Sequence, residues 1–227
     1  AEEMTVETQK NKLTEYKTIY EGGIGEITEK KSRFIATVRP VETEEDALAF
    51  LEEMKKKYWD ARHNCYVYSV GANREFTRCS DDGEPSGTAG KPILEVITGN
   101  ECSNCLCVVT RYFGGVLLGT GGLIRAYTNA AKEALDNSRT GTLTDGTHAF
   151  IDADYNYVGK IQHICAQNEI TIVDTVYAGN VSFELMLEQQ KENMLEKKIT
   201  ELSSGTLKLR DVSHIKMYRD EEGMLTV

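Results

Sequence analysis

Asp81-Asp82-Gly83-Glu84-Pro85-Ser86-Gly87-Thr88-Ala89-Gly90-Lys91-Pro92 is the stretch from which the fold of this chain is read. Its opening residues favour a turn, and Ile93, Leu94, Val96 and Ile97 after it lay an apolar stripe on a short helix that should stop at Gly99. A second glycine segment, Arg111-Tyr112-Phe113-Gly114-Gly115 followed by Gly119-Thr120-Gly121-Gly122, leads into a helix expected over Gly121 to Asn137. Glycine at this density permits left-handed backbone and close approach, at an entropic cost an ordinary surface loop has no reason to bear.

The surrounding elements follow from periodicity. Upstream, Glu26 to Val38 reads as two strands paired around Lys30-Lys31, with Phe34, Ala36 and Val38 pointing inward. Thr43 with Asp46 three residues later is a capping-box start, and Ala47, Phe50, Leu51 and Met54 recur at helical spacing until Lys55-Lys56-Lys57 suits the negative end of the helix dipole. Asn64 to Gly71 and Glu75 to Cys79 alternate as a strand pair, and Cys105 to Tyr112 is the most strand-like run. On the long helix, Leu123, Ala126, Tyr127, Ala130, Ala131 and Ala134 share the inner side.

Turn-forming residues cluster again in Asn137-Ser138-Arg139-Thr140-Gly141, so residues 138–142 are expected to be a linker between a domain at 22–137 and a second at 143–227. The second reads strand (His148 to Ala153), helix (Tyr157 to Asn168), strand (Ile170 to Ala178), strand (Val181 to Glu188), helix (Lys191 to Leu202), strand (Leu207 to Met217). That βαββαβ order is the ferredoxin-like pattern, with Gly179-Asn180 as a two-residue hairpin loop. Residues 1–21 are expected to form a polar arm or an edge strand. The fold class is therefore α+β.

Charge bounds the partners. The formal net charge of -10 argues against coating nucleic acid unspecifically, but it is unevenly spread. Residues 1–140 hold 18 Lys and Arg against 22 Asp and Glu, whereas residues 141–227 hold 8 against 14, so an anion site belongs in the first part. The chain opens with no secretory signal pattern, no apolar run reaches the roughly 20 residues that span a bilayer, and six cysteines form no secreted disulfide framework. The expected location is the cytoplasm, without membrane association.

Ser86, Gly87, Thr88, Gly90 and Lys91 at one helix start, and Gly114, Gly115, Gly119, Thr120, Gly121 and Gly122 at another, suggest amide N–H groups aimed at an anion, with Arg111 and Arg125 adding charge. The competing reading is that these glycines only let helix and sheet approach and that the arginines pair with Asp81, Asp82 or Glu84. Neither segment is a P-loop or a G-x-G-x-x-G fingerprint. Asp82, Glu84 and His63 form the only acid/base set to consider if the protein is an enzyme. Cys102-x-x-Cys105-x-Cys107 lacks a second ligand pair, and Cys105 and Cys107 share one strand face as small buried hydrophobes do. Cys65, Cys79 and Cys165 are expected to be structural thiols as well, so no metal and no cofactor are expected. Tyr112-Phe113 suits base stacking, or else one ring faces the core.

With His63-Asn64-Cys65-Tyr66 and Val109-Thr110-Arg111-Tyr112-Phe113-Gly114-Gly115 added, these motifs in this order resemble the YigZ/IMPACT family over about residues 22–137, and the remainder is similar to the small carboxy-terminal domain of bacterial YigZ-type members. The resemblance implies an amino-terminal domain like the second domain of a small-subunit ribosomal protein and domain IV of elongation factor G. It implies a carboxy-terminal domain like that factor's ferredoxin-like domain V. Cys105 and Cys107 depart from the aliphatic residues relatives usually place there. The expected function is non-enzymatic binding of an anionic macromolecule, structured RNA or a ribosomal surface, with a role in translation regulation. Two alternatives stay open: an enzyme acting on a small phosphorylated or carboxylated metabolite, and a protein–protein adaptor using the carboxy-terminal sheet.

Overall fold

The computed structural model describes residues 15–223 and 225–227. The part of the expected amino-terminal arm at 1–14 lies outside the described residues, and Tyr16–Glu21 is strand β1. Further strands are β2 (Ile24–Glu29), β3 (Ser32–Pro40), β4 (His63–Val70), β5 (Phe76–Ser80) and β6 (Cys105–Tyr112). The helices between them are α1 (Glu44–Lys57), α2 (Gly90–Gly99) and α3 (Gly119–Asp136). Then follow β7 (Arg139–Ala153), α4 (Val158–Gln167), β8 (Thr171–Tyr177), β9 (Val181–Glu188), α5 (Glu192–Ser203), β10 (Arg210–Arg219) and β11 (Leu225–Thr226). The architecture is α+β in two compact units, Tyr16–Thr142 and the portion from Leu143 to Val227.

In the first unit a sheet of order β2-β3-β6-β4-β5 has both faces covered. Phe34, Ala36, Val38, Cys65, Val67, Cys105, Cys107 and Val109 pack against α2 and α3, while Tyr68, Val70, Leu106 and Val108 pack against Phe50, Leu51 and Met54 of α1. β6 is central and buried on both sides, which is why Cys105 to Val109 run apolar without alternation before Thr110 and Arg111. The Thr43–Asp46 capping box forms in both directions and starts α1. Alanines at 126, 130, 131 and 134 let α3 lie close to the sheet, so close that a Cβ added to Gly25 would fall 2.4 Å from the Ala134 amide nitrogen.

The break between the two units falls between Thr142 and Leu143, at the end of the expected linker, but the linker residues are not irregular. Arg139, Thr140 and Gly141 already belong to β7, a strand of 15 residues that pairs with β1 and carries the Arg139–Glu21 ion pair. A partner strand supplies their backbone groups with ladder bonds that the turn-rich composition did not announce. In the second unit the strand order is β11-β10-β7-β9-β8, antiparallel where β7, β9 and β8 meet, with Val181, Phe183, Leu185 and Leu187 in one core against α4 and α5. No described helix is long and apolar enough to cross a membrane.

Gly25→Ala should cost about 1–3 kcal/mol in urea unfolding, since the obstruction is α3 backbone that cannot rotate away.

Candidate functional site

The two glycine segments converge, and the residues that join them are charged. Glu84 from the β5–α2 loop and Arg111 near the end of β6 form an ion pair with Nη1 and Oε1 2.6 Å apart, their side chains 3% and 7% exposed. Tyr127 of α3 donates its hydroxyl to the same Oε1 at 2.8 Å. The Cys65 thiol lies 3.3 Å from the Tyr127 oxygen and 3.0 Å from the Asp81 carbonyl oxygen, either of which accepts its proton. Burial pushes the Cys65 thiol and the Tyr127 hydroxyl well up from their ordinary values. Arg111 Nη2 reaches Ser32 Oγ at 3.4 Å, and its guanidinium sits over the rings of Phe34 and Phe113. Arg111 Nε is buried with no hydrogen-bond partner.

The amides expected to await an anion at the start of α2 already hold one. Gly87, Ala89 and Gly90 donate their N–H groups to the Asp81 carboxylate at 2.8, 3.0 and 2.8 Å. Burial pushes that carboxyl up, but the three amide donors outweigh it and hold it below its ordinary value. The helix start is an anion site filled from within the chain. The amides of Gly87 and Gly90, expected to be free, are taken by Asp81, and Arg111 makes the pairing with Glu84 that the competing reading offered.

The other expected residues divide by burial. Thr88 is buried and gives its hydroxyl to the Pro85 carbonyl at 2.6 Å, whereas Ser86, Lys91, Thr120, Gly121 and Arg125 are exposed. Gly114 is a close approach, since a Cβ there would lie 2.0 Å from the Lys31 carbonyl carbon; Gly87, Gly115 and Gly119 have φ of +77°, +83° and +73°. Gly122 packs on Leu118, but nothing lies within 4 Å of the space a Gly121 Cβ would occupy. His63, Asp82 and Glu84 do meet: His63 Nδ1 is 2.8 Å from the Asp82 carbonyl oxygen and Nε2 is 3.9 Å from Glu84 Oε1. The Asp82 carboxylate takes the Asn64 N–H on Oδ2, and Glu84 Oε1 is held by Arg111 and Tyr127, so each carboxylate is engaged through one oxygen in bonds that hold the loop. Cys105 and Cys107 are buried in the core, which pushes Cys107 up to about 12; Cys79, expected to be structural, is exposed. Among the described residues no His, Cys, Asp or Glu group is arranged to hold a metal ion.

Sequence reasoning passed over the surface at this end of the sheet. Gly114 rests against Lys31, and Tyr112 pairs with Arg33 in register while giving its hydroxyl to Asp60 at 2.8 Å, so the β2–β3 turn, the α1–β4 loop and the β6–α3 loop adjoin. Lys30, Lys31 and Arg62 are exposed there and make no ion pair among the described residues. Lys30 and Lys31 sit at φ of +44° and +68°, the left-handed conformations of a two-residue hairpin for which Asn-Gly is the favoured pair. The sequence signal was present in those two lysines occupying a turn that chemistry would give to glycine.

The fold and this site define a class: an α+β protein of two units whose glycine loops are locked together by a buried ion pair at one end of a five-stranded sheet. Residues 30–135 match the family model of the Impact N-terminal domain, and residues 151–206 match a domain of unknown function, DUF1949. The chain is 38% identical over 213 residues to IMPACT family member YvyE of Bacillus subtilis (strain 168), covering 90% of this chain and 98% of that protein. It is 36% identical over 182 residues to IMPACT family member YigZ of Escherichia coli (strain K12), covering 79% and 89% respectively. A crystal structure of a hypothetical protein aligns at 33% identity with a TM-score of 0.56, over 86% of this chain and 96% of that one. The chain belongs to the IMPACT family.

Glu84→Gln keeps an acceptor for Tyr127 but leaves the Arg111 charge buried and uncompensated, so chemical denaturation should register a loss of about 3–5 kcal/mol. For Asp81 the sign runs with its lowered folded value: its stabilisation is full at neutral pH and is lost as pH falls through the folded value. The stability gap between the unmodified protein and Asp81→Asn should therefore be widest near pH 7 and close below an ordinary aspartate value of about 3.9.

Proposed function

We propose that this protein is a non-enzymatic, translation-associated binding protein that recognises structured RNA, free or on a ribosomal surface, through the loop end of its amino-terminal sheet. The observation that carries the reading is the Lys30-Lys31 turn. Left-handed backbone costs roughly 1–2 kcal/mol per non-glycine residue, and here the chain bears it to keep two exposed, unpaired ammonium groups at a tip. Arg62 before β4, Lys91 in the first turn of α2 and Arg125 in the second turn of α3 add exposed positive charge at the same end of the sheet, within a chain of net charge -10. Such a patch holds phosphates in salt-dependent fashion, while the acidic remainder discourages unspecific coating. Arg111 and Glu84 serve by holding the loops in place. The open space above Gly121 leaves room for a ligand backbone at the first turn of α3.

The finer fold reading belongs with this proposal. The sheet order β10-β7-β9-β8 and the βαββαβ succession support a ferredoxin-like carboxy-terminal domain, and the family resemblance supports an amino-terminal domain of the ribosomal-protein and elongation-factor type. A second reading, the adaptor, has its own support: edge strand β8 exposes Val173, Val176 and Tyr177, a surface to which a partner strand can add.

Lys30→Asn combined with Lys31→Gly separates function from fold. This hairpin should be more stable, by about 1–2 kcal/mol, yet bind RNA less tightly, with the slope of log K against log salt reduced by about 1.5–2 units. A variant that is stabilised and binds structured RNA with unchanged slope removes the reading.

A further inference from the structure

We infer that the RNA recognised at this end of the sheet carries unpaired bases, taken up by Trp59 on one side of the β6 terminus and Phe113 on the other. The inference rests on the RNA-binding reading above and names the form of RNA.

Trp59 is 82% exposed in the α1–β4 loop, and Phe113, just past β6, is 45% exposed. An indole left almost wholly in water forgoes one of the largest burial gains a side chain offers. The loop at Trp59 and the ring of Phe113 are each anchored by a neighbour. Asp60, next to Trp59, accepts the Tyr112 hydroxyl, and the Phe113 ring has the buried Arg111 guanidinium 5.6 Å from its centre. Side-chain parity puts them on opposite sides of the strand end: Arg111 faces Phe34 and the α2–α3 layer, whereas Tyr112 faces the α1 side, where Trp59 leaves the helix.

Each ring belongs to a loop next to residues that carry unpaired positive charge. Arg62 follows Trp59 by three residues, and the Lys30-Lys31 turn lies against Gly114, the residue after Phe113. A cation for the phosphate and a flat face for the base is the pairing used by single-strand binding surfaces, and every base has a face to stack. An apolar protein partner would cover the rings too, but would leave three cations facing it without acidic partners from this chain. The observations therefore favour RNA. Duplex RNA offers phosphates but keeps its bases stacked inside, so it can use the lysines and Arg62 without using the rings.

The test compares two labelled RNAs of equal nucleotide number, a hairpin with a large unpaired loop and a blunt duplex, titrated with the intact protein. The loop RNA should bind more tightly. Trp59→Ala and Phe113→Ala should each weaken it by about five-fold or more while leaving duplex affinity and the salt slope unchanged, and Trp59→Phe should restore most of the loss. Trp59 is the one tryptophan in the chain, so its emission reports stacking directly and should be quenched by loop RNA but not by duplex. Equal affinity for both RNAs with unaltered Trp59 emission overturns the inference and leaves the RNA reading standing. Binding of neither RNA at low salt overturns both.

Discussion

The Glu84–Arg111 pair is the constraint around which the amino-terminal unit is assembled. One partner comes from the loop before α2, the other from the central strand, and Tyr127 brings α3 to the same carboxylate oxygen. Water is excluded, so neither charge tolerates the loss of the other. The Arg111 guanidinium also lies over Phe113, which ties the position of the exposed loop to the state of the interior. A rigid strand end is what lets the loops around it present their side chains in a fixed order.

The glycine-rich segments do two kinds of work. At α2 the backbone amides close on Asp81, so the chain supplies its own anion to a helix start and fastens the turn to the helix. At the β6–α3 loop, Gly114 permits contact with the β2–β3 turn, and Gly115 and Gly119 take up left-handed backbone. The composition that suggests ligand binding is thus largely spent on internal assembly, and the surface chemistry passes to side chains a few ångströms further out. The residues of the acid/base set, His63, Asp82 and Glu84, converge as well, and one oxygen of each carboxylate is engaged in holding the loop to the sheet.

Charge shows the difference between a total and a distribution. The chain is acidic, yet Lys30, Lys31, Arg62, Lys91 and Arg125 are exposed without ion-pair partners among the described residues, and the left-handed lysine turn gives that distribution an energetic cost. In the carboxy-terminal unit Arg210 is matched with Asp152 and Asp211, and Arg219 with Glu188.

What the chain determined by itself is whatever neighbours along it can decide. Thr43 and Asp46 start α1, the 3.6-residue spacing of Leu123, Tyr127, Ala130 and Ala134 orients α3, and the alternation of Val181, Phe183, Leu185 and Leu187 orients β9, because each depends on residues a turn or a pleat apart. The tertiary structure decided the rest. Ser138 to Gly141 reads as a linker until β1 arrives beside it, Asp81 selects three amides from six to nine residues away, and Glu84 finds Arg111 across 27 residues. A charge is drawn to whichever opposite charge shares its buried volume, and a backbone amide to whichever acceptor the folded chain brings within reach. Neither choice is a property of local sequence.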